Sequence, residues 1–150
     1  MRHFIPLHLD LTGRRLLFVG GGRVNERRVL SVVESDAEIT VVSPALTEKL
    51  KSLVDEGKIH WIEREFLPSD VEGADFVFVA IPEGYQKVVE CAKAKGVWVE
   101  CASDGNLGNF IVPAVIRRKH LLISVSTSGQ SPKLTARIKR AIEELLGKIL

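Results

Sequence analysis

With 150 residues, 45% of them apolar, the chain is of single-domain length and can bury a substantial core without disulfides or metals. Lysine and arginine number 21 against 19 aspartates and glutamates, so no overall field draws the molecule to nucleic acid or to a membrane. No apolar run approaches the ~20 residues of a membrane span, no signal-like segment is present, and Cys91 and Cys101 stand in no ligand or redox spacing; the expectation is a soluble cytoplasmic protein with reduced thiols.

Residues 16–19 (LLFV) are apolar at every position, the pattern of a strand covered on both faces of a parallel sheet. Gly20, Gly21 and Gly22 follow, and the spacing of Val24, Val29 or Leu30, and Val33 then predicts a helix over 23–34. AEITVVSP predicts a second strand ending at Pro44. A polar helix over 47–56 comes next, with Gly57 at its C-terminal end. IHWIE, DFVFVA (75–80) and VWVECA read as further strands, with a loop containing Pro68 and Gly73 and a helix over 83–95 between them. Strand and helix alternating at this interval imply an α/β fold, a Rossmann-like doubly wound and mostly parallel sheet.

After Asp104 the texture changes. GNLGNF reads as a loop, FIVPAVIRRK as apolar then basic, and LLISVS as a strand feeding the turn TSGQSP. Ser131 as N-cap and Pro132 at the first helical position open a final helix. Leu134, Ile138, Ile142, Leu145 and Ile149 mark one face of it, and Lys133, Arg137, Arg140 and Glu144 the other. The expected division is a nucleotide-binding domain over 1–112 and a strand-turn-helix extension over 113–150.

The glycine triplet carries the clearest chemistry. Gly20 allows a tight turn, Gly22 lets backbone N–H groups approach a pyrophosphate, and the helix dipole favours that anion. Asn25 stands where the dinucleotide fingerprint wants glycine or alanine; it is small enough to be accommodated with a modest shift. The second strand should carry an acid at its tip to hold a ribose, and Ser43-Pro44 stands there instead, which leaves NAD and NADP undecided by chemistry alone.

Asp104 follows a strand end, at the edge of an open α/β sheet where ligands bind, and can serve as a general base or merely cap a turn. The hydroxyl-rich turn from Ser126 to Ser131 can cradle an anion or simply cap its helix. His3, His8, His60 and His120 have no ligand spacing, so no metal site is expected. Trp61 and Trp98 fall in strand-like runs and read as core or rim.

Taken in order, IPLHLDLTGRRLLFVGGGRVNERR, the strand ending VVSP, VECASDGNLGNFIVPAVIRR and LLISVSTSGQSPKLTARIKRAIEELL resemble the N-terminal module of siroheme synthase, over residues 5–147. That module is the precorrin-2 dehydrogenase, in several members also the sirohydrochlorin ferrochelatase. The resemblance implies NAD as cofactor, with Gly20, Gly21, Gly22, Arg23 and Val24 at its phosphates, Ser43 and Pro44 near its adenosine, and Ala80 at the pocket's edge. It implies Asp104 as the catalytic base and Ser126 and Ser128 on a tetrapyrrole-facing turn. Arg117 and Arg137 are then suited to the carboxylates of precorrin-2 and sirohydrochlorin, and so are Arg118 and Arg140. Ferrous iron as a second substrate and a homodimer are further implications; nucleic acid and membrane are not partners. The sequence departs from the family's usual pattern at Asn25, at Ala80-Ile81-Pro82 and at Cys101, and it stops where family members usually continue into a helical region. Two other readings stay open: a nucleotide-sensing regulatory domain, and a non-catalytic tetrapyrrole carrier.

Overall fold

A computed structural model describes residues 2–150. The chain divides into two compact units, one of residues 5–110 and one of residues 111–150 with the N-terminal stretch up to Phe4.

The first unit holds a five-stranded sheet, β1 (Arg15–Val19), β2 (Glu38–Val42), β3 (His60–Ile62), β4 (Phe76–Val79) and β5 (Trp98–Cys101), in the order β3-β2-β1-β4-β5. Every pairing is parallel. Parallel neighbours need crossovers, which the chain supplies as helices α1 (Arg23–Val32), α2 (Glu48–Asp55) and α3 (Tyr85–Ala94) and a short 3-10 turn at Pro68–Val71. The strands are apolar on both faces because both are covered. Leu17, Val19, Val77, Val79 and Val99 pack with Val88, Val89 and Ala92 of α3 on one side. Leu16, Phe18, Val41 and Phe78 pack with Val29 of α1 and Leu50 and Leu53 of α2 on the other. Phe18 and Phe78, paired in register, stack at 4.5 Å, and Phe110 meets Phe78 edge-on at 5.5 Å.

The expected α/β architecture is present, with differences at two helix ends. α1 stops at Val32, not 34, because Ser35 donates both its N–H (2.9 Å) and its hydroxyl (2.6 Å) to the Val32 carbonyl and turns the chain away. α3 begins at Tyr85, not 83, since Gly84 sits in the left-handed region at its N-cap. The free edge of β5 is occupied by its own chain: Asn109 N–H donates to Val99 O, and Val99 N–H donates to Asn109 Oδ1, both at 2.8 Å. A Cβ at Gly108 would stand 2.8 Å from Val99 O, so this close return requires glycine.

In the second unit, β6 (Ala114–Arg118) and β7 (Leu121–Val125) form an antiparallel hairpin against which α4 (Pro132–Ile149) packs. The sequence reading gave no strand at β6. The hairpin turns at Lys119, which adopts φ +50 where glycine or asparagine would have announced the turn. Ser131 caps α4 as expected, accepting from Leu134 N–H at 3.1 Å. Ile116 is the only buried hydrophobic residue of this unit among the described residues, and α4 buries none.

Candidate functional site

β1 ends at Val19 and the chain turns through Gly20–Gly22 into α1 at the C-terminal edge of the sheet. Gly20 has φ +112 and lies against β4's exit, where a Cβ would collide with the Ala80 carbonyl oxygen. Gly21 is packed on the β2–α2 connection: a Cβ there would strike Ala45 O, Leu46 and Ser43 Oγ. Gly22 differs from both, because nothing lies within 4 Å of where its Cβ would stand. It is the N-cap of α1, and no side chain caps that helix. The first backbone N–H groups of α1 and the positive end of its dipole therefore face an open shelf, which suits a pyrophosphate. The residues present fit a dinucleotide: two glycines the fold demands, and one that leaves space.

Asn25 does more than fit. It is fully buried, and its Nδ2 donates to Val19 O at 3.0 Å and to Gly20 O at 2.9 Å, tying α1 to the turn below it. The expected modest shift is replaced by a pair of hydrogen bonds that alanine could not make. Arg23 and Val24, the first two residues of α1, are exposed beside the open shelf. Ser43, just past β2, is 8% exposed; Trp61 Nε1 donates to its carbonyl at 2.9 Å. Pro44 beyond it is exposed, and Ala80 at the end of β4 is half-buried.

Asp104 is three residues past β5, at the same edge of the sheet. It is half-buried, and its Oδ1 accepts from Asn106 N–H at 3.0 Å, an Asx turn that fixes the carboxylate's direction. Ser103 just before it donates to Ile81 O at 2.6 Å, fastening the exits of β4 and β5 together. The cofactor turn, Ala80 and Asp104 thus occupy one edge of one sheet.

Sequence reasoning missed the ion pair of this unit in which both partners are buried deepest. Arg28 of α1 and Glu100 of β5 form an ion pair at 2.6 Å, with side chains 16% and 8% exposed. Burial pushes the Glu100 carboxyl up to about 7, against the pull of Arg28. A glutamate inside a strand otherwise apolar on both faces was the available signal.

The remaining candidates lie in the second unit. Ser126, Ser128, Arg117 and Arg137 are all exposed. The hydroxyls of Thr127, Ser131 and Thr135 are spent on one another and on nearby backbone, and Ser126 Oγ accepts from Ser128 N–H at 3.0 Å. Ser128 sits at φ +56 with its hydroxyl bonded to no other described residue. Arg118 pairs loosely with Glu143 at 3.8 Å, while Arg117 and Arg137 make no ion pair with another described residue. Among the described residues no group of His, Cys, Asp or Glu is placed to hold a metal, and no helix is long and apolar enough to cross a membrane.

Residues 7–114 match a family described as "Putative NAD(P)-binding", and residues 118–145 one described as "Sirohaem biosynthesis protein central". The chain is 33% identical to the precorrin-2 dehydrogenase of Bacillus subtilis (strain 168), over 95% of its own length and 88% of that protein's. It belongs to the precorrin-2 dehydrogenase family. A solved structure titled "SirC, precorrin-2 dehydrogenase" superposes with a TM-score of 0.83 at 31% identity, covering 94% of this chain and 70% of that one. Siroheme synthase 1 of Aeromonas salmonicida (strain A449) is 32% identical over 95% of this chain, which spans 31% of that longer protein. The expectations of an NAD-dependent oxidoreductase family and of a Rossmann-like fold are borne out by these matches.

Proposed function

We propose that this protein oxidises precorrin-2 to sirohydrochlorin, with NAD+ held on the Gly20–Gly22 turn and Asp104 as the base. The observation that carries the reading is the uncapped N-terminus of α1 beside the open space at Gly22, on the sheet edge that also bears Asp104. Bound NAD+ supplies the hydride acceptor. The chain's own residues do the rest. Gly22, Arg23 and Val24 offer backbone N–H groups to the phosphates, and Ser43, Pro44 and Ala80 line the pocket's rim. The C–H bond of the macrocycle breaks with its electron pair leaving as hydride, and a proton passes to the Asp104 carboxylate, which the Asx turn keeps directed.

The unit of residues 111–150 is proposed to bind the tetrapyrrole. Arg117 and Arg137 would pair with its carboxylates, and Ser126 and the unengaged hydroxyl of Ser128 would donate to them. The same unit buries too little to be covered by itself: Leu134, Ile138, Leu145 and Ile149 are exposed along α4. We assign that face to a second copy, giving a homodimer. Light scattering of the purified protein checks it, and a monomer at working concentration would set it aside. The reaction is placed in the cytoplasm, where Cys91 and Cys101 stay free.

The deciding assay mixes the protein with NAD+ and enzymatically generated precorrin-2 without oxygen and follows absorbance of the reduced nicotinamide. Turnover establishes the reaction; NAD binding without turnover would turn the reading toward a regulatory domain or a carrier. The match of residues 118–145 to a sirohaem biosynthesis protein favours the enzyme over a regulatory domain. Iron insertion would need the same carboxylate to take the pyrrole protons. An anaerobic assay with sirohydrochlorin and ferrous iron showing no rate above the protein-free control would confine the protein to dehydrogenation.

A further inference from the structure

Among the described residues three buried side-chain atoms have no hydrogen-bond partner: Asn25 Oδ1, Arg28 Nη1 and Glu100 Oε2. They are not scattered. Asn25 and Arg28 are three residues apart on α1, so they are neighbours on one face of that helix. Arg28 Nη2 in turn reaches Glu100 Oε1 at 2.6 Å. Asn25 is 0% and Glu100 6% exposed, so neither can turn to bulk water for a partner.

The donor end of Asn25 is fully used. Asn25 Nδ2 holds the two carbonyls at the start of the glycine turn, Val19 O and Gly20 O. Glu100 is on β5, four residues before Asp104. Resting on the cofactor reading of the turn, we propose that Asn25, Arg28 and Glu100 form one buried polar network that holds the glycine turn in its phosphate-binding shape and ties it to the strand leading to Asp104. Its unfilled positions are one cationic donor and two acceptors. An ordered water, with two protons to give and lone pairs to receive Nη1–H, completes such a set. Asn25 and Glu100 are then positioning residues: they touch neither cofactor nor substrate, and act through the backbone that does. An alanine at position 25 would leave the turn without its side-chain tie, and a glutamine at 100 would put an NH2 donor where one of the carboxyl oxygens stood, leaving Arg28 and the water one acceptor fewer.

The experiment is a double-mutant cycle on NAD+ affinity, with Asn25→Ala, Glu100→Gln and the double variant titrated calorimetrically as full chains while melting temperatures are recorded. Each single substitution is expected to raise the Kd for NAD+ about tenfold, and the double variant no further than the worse single one, because both break the same network. At saturating NAD+ the turnover of precorrin-2 should stay within about twofold, so KM moves and kcat does not. Affinities within about twofold of the unaltered protein, even with lowered melting temperatures, would reduce the network to a packing feature and overturn the proposal. So would losses that multiply in the double variant, since independent sites behave that way. Should Asn25→Ala fail to fold, Asn25→Ser carries the same cycle. Absence of NAD+ binding in the unaltered protein would overturn the cofactor reading and this inference with it. Binding without precorrin-2 oxidation would strike only the assigned reaction, with the affinity cycle still deciding the network.

Discussion

The α-carbon of Gly20 faces the carbonyl oxygen of Ala80 so closely that no Cβ fits between them. Ala80 cannot retreat, because its N–H donates to Val19 O at 2.9 Å in the same strand pairing. Gly20→Ala therefore combines a backbone clash with a φ of +112 that L-residues avoid, and should destabilise the protein by about 3 kcal/mol. Gly22→Ala meets open space at φ −89 and should leave stability within about 0.5 kcal/mol. The two should separate: urea midpoints fall for Gly20→Ala, while with the phosphates at the proposed site Gly22→Ala should lose NAD+ affinity.

Glu100 gives the protein a specific pH response. Its carboxyl is held near 7, above its ordinary 4.5, because burial disfavours the charged form more than Arg28 favours it. The folded state then binds the proton more tightly than the unfolded state, so this contribution is whole below about pH 4.5 and is lost as pH rises through about 7. The amount is on the order of 3 kcal/mol. Denaturant titrations from pH 5 to 8 should show that decline in the unaltered protein and a flatter profile in Glu100→Gln.

Asp104 can be separated from its turn. Asn106 N–H needs an acceptor, not a charge, and an asparagine at 104 offers one. Asp104→Asn should hold the melting temperature and NAD+ affinity close to those of the unaltered protein while precorrin-2 oxidation falls at least ~100-fold. Unchanged turnover would remove Asp104 from the chemistry.

One hydroxyl gathers several of the bonds in the turn before α4. Thr127 Oγ1 accepts from Ser131 N–H at 2.9 Å and lies 3.1 Å from both Ser131 O and Thr135 Oγ1. Thr127→Val keeps the shape and removes the bonds, which should cost about 1–2 kcal/mol. The loss should register as reduced helical signal at lower temperature, with NAD+ affinity unaffected.

Much of the fold was legible because its strands have one simple requirement. LLFV, FVFV and their neighbours are apolar on both faces, and only a parallel sheet under two layers of helix asks for that. What stayed hidden was β6, since its hairpin turns on Lys119 and not on a residue that signals a turn. At the site, glycines and Asp104 could be placed by spacing, but the reason for Gly21 could not, because the Ala45 backbone that crowds it comes from another connection. Asn25 was visible as an exception to a pattern, and only the positions of Val19 O and Gly20 O turn that exception into a bonded part.

Asn109 answers Val99 with both a backbone N–H and a side-chain oxygen, so one residue stands in for a sixth strand. A five-stranded open sheet would otherwise present an outer row of free donors and acceptors beside the exposed Trp98. The opposite margin is the three-residue β3, too short to template much. The sheet is thus guarded on both sides against adding a foreign chain. Neither margin is then open to strand-by-strand growth into a fibre.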